Sequence, residues 1–334
     1  MKISRLGDFK TNNSEIWRKK ILKFNGGGGL PFVATVGIKG LDLAVSKITV
    51  GPVVLRQFNE KVDANRDIGL RSCCILEVKF EEGCGSRRMP NSLLPTSYIN
   101  TFDLIYSVYQ SLLVMFDAWI GTTPTYFFNK NGKFKASIGS ETEGLSKWIK
   151  IDGENIPVDL PNTKIKRLNK KILLKIINAQ YGKCQLAIDR YSKACAEITY
   201  ESMDESIIDF VIVLESLLGI GLSGEISHRI SSRAAILLSP TKKERQNYYD
   251  AIRYLYDLRS AIVHGEIDEV RVPKGNKKEA LEKLGLDLSS ESWELRCEIS
   301  DFARRISRKV LLFFINNEDK LNKKWLNNLE LGMN

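Results

Sequence analysis

The segment "YLYDLRSAIVHGE", residues 254–266, decides how the second half of the chain is expected to fold. Leu255, Leu258 and Ile262 recur at three- and four-residue spacing, the stripe of an amphipathic helix. The helix is expected to close at Gly265, because glycine readily takes the left-handed conformation that ends a helix. Inside it stands Arg259, and five positions later His264, one of only two histidines in the chain. Five positions are about 140° around a regular helix and about 7.5 Å along it, so the two side chains do not share a face. For them to act together, the last turn must loosen at His264, or two copies of the helix must pool their side chains across a dimer axis.

The pair has suitable chemistry. A helix C-terminus carries negative partial charge, which favours a protonated imidazole. Histidine takes and gives protons near neutrality. Arginine keeps its charge and presents a planar fork of donors that fits phosphate. Together they are a minimal kit for metal-free RNA cleavage: a ribose 2′-hydroxyl attacks the adjacent phosphate, the imidazole handles protons, and the guanidinium stabilises developing charge. On spacing alone, a histidine ahead of a helix-ending glycine is also an ordinary structural choice.

Outward from this segment the chain reads as one helix after another. From about residue 161 the runs are "LPNTKIKRLNKKILLKIINAQYG", "KCQLAIDRYSKACAEIT", "SMDESIIDFVIVLESLLGIG", "GEISHRISSRAAILLSP", "TKKERQNYYDAIRYLYDLRSAIVHG" and, after a basic loop, "SSESWELRCEISDFARRISRKVLLFFIN". Glycines and prolines fall where helix ends belong. Residues 161–334 are therefore expected to form an all-helical bundle. Residues 1–160 read as β-rich. "LPFVATVGI", "KITVGPVVL" and "SCCILEVKF" are β-branched runs, followed by one long helix over 97–120 and a hairpin signal, "KNGK". The expected class is α+β, a β-rich domain with a long helix and then a helical bundle, with the boundary near 155–165. "NGGGGLP" (25–31) lacks the Lys-Ser/Thr of a phosphate loop and reads as a linker or turn.

Three of these helical segments, in order, resemble the HEPN superfamily. "YDLRSAIVHG" resembles the closing motif of HEPN ribonucleases, an arginine followed four to six residues later by histidine. "IDFVIVLESLL" is similar to the HEPN helix with a hydrophobic-Leu-Glu segment, and "GEISHRISSRAAILLSPTKKER" to the helix after it. The wording is closest to the ApeA-like HEPN group, linked to bacterial anti-phage abortive infection, and the likeness covers roughly 185–270. It implies a homodimeric, metal-independent endoribonuclease of toxin type, needing no cofactor. RNA is its implied substrate, and a shared cleft its site, built from Arg259 and His264 of both copies. A phage-derived trigger or regulatory partner would act on the N-terminal domain. One departure is Ser260: many active HEPN nucleases have Asn, Asp or His directly after the arginine. Serine still donates a hydrogen bond, but the departure keeps open an inert HEPN scaffold that dimerises and binds RNA. A nucleotidyl-transfer enzyme is disfavoured, since the chain lacks both an acidic-pair motif and a glycine-lysine phosphate loop.

Around the pair, Asp209 and Glu215 interrupt a strongly apolar helix, where charges are seldom buried casually. Glu215 either orients Arg259 or a neighbouring arginine near the site, or makes a structural ion pair with Arg229, Arg233 or Arg253; the structural pairing is the more economical reading. Tyr256 either stacks a base or packs, and packing is the simpler choice. His228 reads as a packing or surface histidine. Arg229, Arg233, Arg253, Lys274 and Lys277 are candidate RNA contacts in a chain of net charge +10.

Composition, 43% hydrophobic and 27% charged, is that of a globular protein. No apolar run reaches a membrane span, and the N-terminus lacks the apolar core of a signal peptide. A cytoplasmic protein with no membrane partner is expected. The six cysteines make no CxxC pair and read as free thiols.

Overall fold

The computed structural model describes residues 31–39, 41–43, 45–50, 53–58, 74–81, 96–117, 120–122, 125–129, 134–138, 146–151, 154–159, 163–165, 169–180, 182–196, 203–265, 273–289 and 292–331. The expected glycine-rich turn at 25–29 lies outside them, as do the N-terminal residues read for a signal peptide. The chain forms two compact units, Met1–Ile177 and Asn178–Asn334.

The first unit is built on an antiparallel sheet. Its strands are β1 (Pro31–Lys39), β3 (Lys47–Val50), β4 (Val53–Gln57), β5 (Cys74–Glu81), β7 (Thr125–Asn129) and β8 (Phe134–Ile138), in the order β3-β4-β5-β1-β7-β8, with β6 (Gly121–Thr122) also on β1. Central β1 pairs with β5 over eight of its nine residues, from Pro31 opposite Glu81 to Ile38 opposite Cys74. The β-branched run "KITVGPVVL" folds into β3 and β4, and Arg56 on β4 reaches Glu77 on β5 at 3.4 Å. The helix α1 (Thr96–Met115) buries Ile105, Val108, Tyr109 and Leu112, one stripe at helical spacing. It packs on β5 and β1. The tip of the expected "KNGK" turn lies outside the described residues, while the strands flanking it pair as a hairpin, Thr125 opposite Ile138.

Two features depart from the sequence expectation. Strands β9 (Ser146–Ile151) and β10 (Glu154–Asp159) form an additional hairpin where a boundary loop was expected. The two residues between them are Asp152 and Gly153, a strong two-residue hairpin signal. The run beginning at Leu160 does not start as a helix: Thr163–Ile165 is a strand, β11, parallel to β2 (Leu41–Leu43). Two of its three residues are β-branched, and strand pairing outweighs the helical reading there. Helix α2 begins only at Lys170 and runs to Ala179.

The second unit is helical: α3 (Gln185–Ala196), α4 (Met203–Leu218), α5 (Ile226–Leu238), α6 (Lys242–Val263), α7 (Asn276–Lys283), α8 (Ser292–Asn316), a 3-10 turn (Glu318–Lys320) and α9 (Lys323–Glu330). Apolar α4 is its centre, packed by α3, α5, α6 and α8. Ile207, Phe210, Val211, Leu214, Leu217 and Leu218 of α4 are fully buried, as a helix apolar on nearly every side must be. Helix α5 stops before Pro240, and α6 starts on Thr241, whose side chain accepts from the Glu244 amide. Helices α7 and α9 were not expected. Helix α7 buries only Ala280 and Leu281, so its sequence carries almost no apolar stripe.

Cys74, Cys184, Cys195 and Cys297 are free thiols. Burial pushes Cys184 and Cys195 up to about 12, so neither thiol is readily ionised near neutrality. Among the described residues no helix is long and apolar enough to cross a membrane.

Candidate active site

Helix α6 carries both expected catalytic residues. It is regular up to its end: the His264 amide still donates to the Ser260 carbonyl at 3.0 Å. His264 has φ −87° and ψ 1°, already outside the helical region, and the reversal comes one residue later at Gly265, φ +68°. The glycine therefore closes the helix as expected. The hydrogen bond that closes the last turn on His264 is kept, and the helical backbone ends at His264 itself. Arg259 and His264 stay about 140° apart around α6, on different sides of one helix. His264 and Ser260 are exposed, and Arg259 is half-buried.

Glu215, in the last turn of α4, meets Arg259 with Oε2 3.7 Å from Nη2. The arginine that Glu215 meets is therefore Arg259, and not Arg229, Arg233 or Arg253. Arg229 and Arg233 are both claimed by Glu330 of α9. Arg229 binds it through two hydrogen bonds of 3.1 and 2.7 Å. Arg233 Nε lies 3.2 Å from the Glu330 carboxylate. Arg253 donates to Ser227 Oγ. Glu330 stands 101 residues from Arg229, so no local pattern reveals that partner.

Burial holds the Glu215 carboxyl above the ordinary 4.5, against the opposing pull of Arg259. A carboxyl raised on folding binds its proton more tightly in the folded chain. Its contribution is fully present below the unfolded value and is lost as pH rises through the folded one. Glu215→Gln removes this dependence. Urea unfolding from about pH 4 to about pH 7 is expected to show wild type losing stability relative to Glu215→Gln as pH rises. A constant difference across that range would mean that the carboxyl is not strained by burial.

Tyr256 lies against the same pair. Its side chain is 8% exposed, and the hydroxyl is buried without a hydrogen bond. Burial drives its phenol far above the ordinary value, with the Glu215 charge adding to the effect and Arg259 opposing it. It packs, and offers no ring for stacking a base. Arg259 Nε is likewise buried and without a partner, so the guanidinium is only partly satisfied.

The other expected residues divide. Asp209 does not support this site. It is buried and binds Arg190 at 2.8 Å and Lys193 at 3.2 Å, tying α3 to α4. Six residues separate it from Glu215, about 120° around α4, so the two carboxylates face different helices. Arg233 is not an RNA contact, because its side chain is fully buried. One of its nitrogens donates to the Leu218 and Ile220 carbonyls and another to Asn327 Oδ1 at 2.9 Å. It thereby satisfies open carbonyls at the end of α4, the end that holds Glu215. Arg229, partly exposed, shares the Glu330 carboxylate with Arg233. Lys277 is ion-paired to Asp257, joining α7 to α6, and Lys274 is exposed. In the basic run 304–309, Arg304 is buried and forks onto Asp301 at 3.0 and 2.8 Å.

No family model, no curated protein and no solved structure matches the chain. Any family likeness therefore rests on the chain's own residues and on the way they assemble.

Proposed function

We propose that the helical unit is a metal-independent HEPN endoribonuclease, an abortive-infection toxin whose site is pooled from Arg259 and His264 of two copies. The observation that carries this reading is the contact between Glu215 and Arg259. It joins the segment "IDFVIVLESLL" to "YDLRSAIVHG", two stretches that resemble HEPN helices and are 44 residues apart at these positions (259 minus 215). The third stretch, α5, packs on both. Glu215 stands against one end of the guanidinium, and the Arg259 side chain keeps 34% of its surface exposed.

The proposed step is transesterification. An imidazole accepts the 2′-hydroxyl proton while O2′ bonds to phosphorus. The P–O5′ bond breaks, and the 5′ oxygen takes its proton from the imidazolium. The guanidinium faces the charge that builds on the phosphoryl oxygens. Products carry a 2′,3′-cyclic phosphate and a 5′-hydroxyl. In a fused toxin the β-rich unit is the part left to keep the site silent until a phage-derived trigger acts; that assignment rests on analogy with other fused toxins.

The second reading, an inert dimerising scaffold that binds RNA, is favoured by one observation: Arg259 already has a carboxylate partner. Purified protein incubated with total RNA in excess chelator separates the two. The ribonuclease reading expects fragments with cyclic phosphate ends. RNA retained without cleavage would establish the scaffold instead.

A further inference from the structure

Where α5 passes α6 near Tyr249, a second group of polar side chains gathers. His228 Nδ1 lies 2.6 Å from Tyr249 Oη, and the rings meet edge to face with centroids 5.5 Å apart. Beside them Arg253 Nη1 donates to Ser227 Oγ. Arg253 differs from its neighbours Arg229 and Arg233. They share the single carboxylate of Glu330, whereas the partner of Arg253 is a hydroxyl. The carboxylate one turn further along α6, Asp257, is already engaged by Lys277. A partly exposed guanidinium is thus left with its charge uncancelled, next to a phenol and an imidazole that both offer polar atoms at the surface.

The position of this group on α6 gives it meaning. Tyr249, Arg253, Ser260 and His264 follow one another at spacings of four, seven and four, which places them within about 60° on one face of the helix. Arg253 stands eleven residues before His264, about 16 Å along the axis. That is the reach of a short run of nucleotides lying along the helix.

We propose that Ser227, His228, Tyr249 and Arg253 form a phosphodiester-binding subsite that holds the RNA strand a few nucleotides from the bond cleaved at His264. This rests on the ribonuclease reading of Arg259 and His264. The arginine fork takes the phosphate oxygens, and Tyr249 and His228 add hydrogen bonds to the same strand.

The test uses the full chain and a fluorescein-labelled, single-stranded 2′-O-methyl RNA, which lacks the attacking hydroxyl and cannot be cut. Anisotropy is recorded across a salt series. Arg253→Gln is expected to weaken binding about fivefold and to make the slope of log K against log salt shallower by about 0.7, the loss of one phosphate contact on a single strand. Arg253→Lys is expected to restore the slope. Tyr249→Phe removes only a hydroxyl and is expected to weaken binding about twofold at unchanged slope. Absence of probe binding by wild type would overturn the subsite, as would Gln and Phe variants that bind as wild type does. Should wild type bind the probe and Arg253→Gln flatten the slope while cleavable RNA stays intact, the subsite stands and the ribonuclease reading falls.

Discussion

His264→Ala is expected to lower RNA cleavage by about a hundredfold to ten-thousandfold while leaving the unfolding midpoint where it was. The first half follows from the role of a general base, whose removal costs that much in rate. The second follows from position. His264 is exposed at the end of α6, and what fixes the backbone there is its amide on Ser260 and the left-handed Gly265, neither of which alanine disturbs. Arg259→Ala should abolish cleavage too, but with a different stability signature. It strands the half-buried Glu215 carboxyl beside the buried Tyr256 hydroxyl. Cleavage assayed in chelator, with thermal melts of the same samples, separates a lost catalyst from a lost fold. Cleavage by both variants at the wild-type rate would remove Arg259 and His264 from the chemistry.

Arg233→Met is expected to destabilise the helical unit by about 3 kcal/mol, near the lower end of what breaking a buried ion pair costs. The guanidinium is fully buried and binds the end of α4, Asn327 and Glu330 at once. Methionine approximates its stem but leaves the carbonyl of Leu218 and part of Glu330 without partners in a protected setting. Urea titration should show a lower midpoint at an unchanged slope. Glu330→Gln should cost less, because Asn327 and the α4 carbonyls still hold Arg233. A midpoint for Arg233→Met equal to wild type would mean that α4 is held by its apolar packing alone.

The helices most legible in the sequence were those with a strong stripe and clear punctuation. Gly219, Pro240 and Gly265 each sit just past the end of a helix as read from spacing. Helix α7 is weakly striped, with two apolar residues in eight, and α9, though one-sided, is only two turns long. Strand β11 was read as helix because a parallel partner 122 residues away, Leu41 for Thr163, leaves no local trace. At the candidate site, the 140° separation of Arg259 and His264 was readable from spacing, and the structure keeps it. The partner of Glu215 was not. Four arginines lay within plausible reach, and the choice depended on Glu330, near the chain end, claiming two of them. Arg253 is one of five candidate RNA contacts legible in the sequence, but nothing there says which arginine is left without a carboxylate.

The central claim is that one catalytic unit needs two copies of α6. Arg259→Ala and His264→Ala chains, carrying different tags, can be co-expressed and their heterodimer isolated by tandem affinity purification. If arginine and histidine are pooled across the axis, each variant alone is inactive. Their heterodimer then keeps one intact pairing of Arg259 from one chain with His264 from the other, and cleaves RNA at about half the wild-type rate. A heterodimer as inactive as its parents, or no recoverable heterodimer beside an active monomeric wild type, would contradict it.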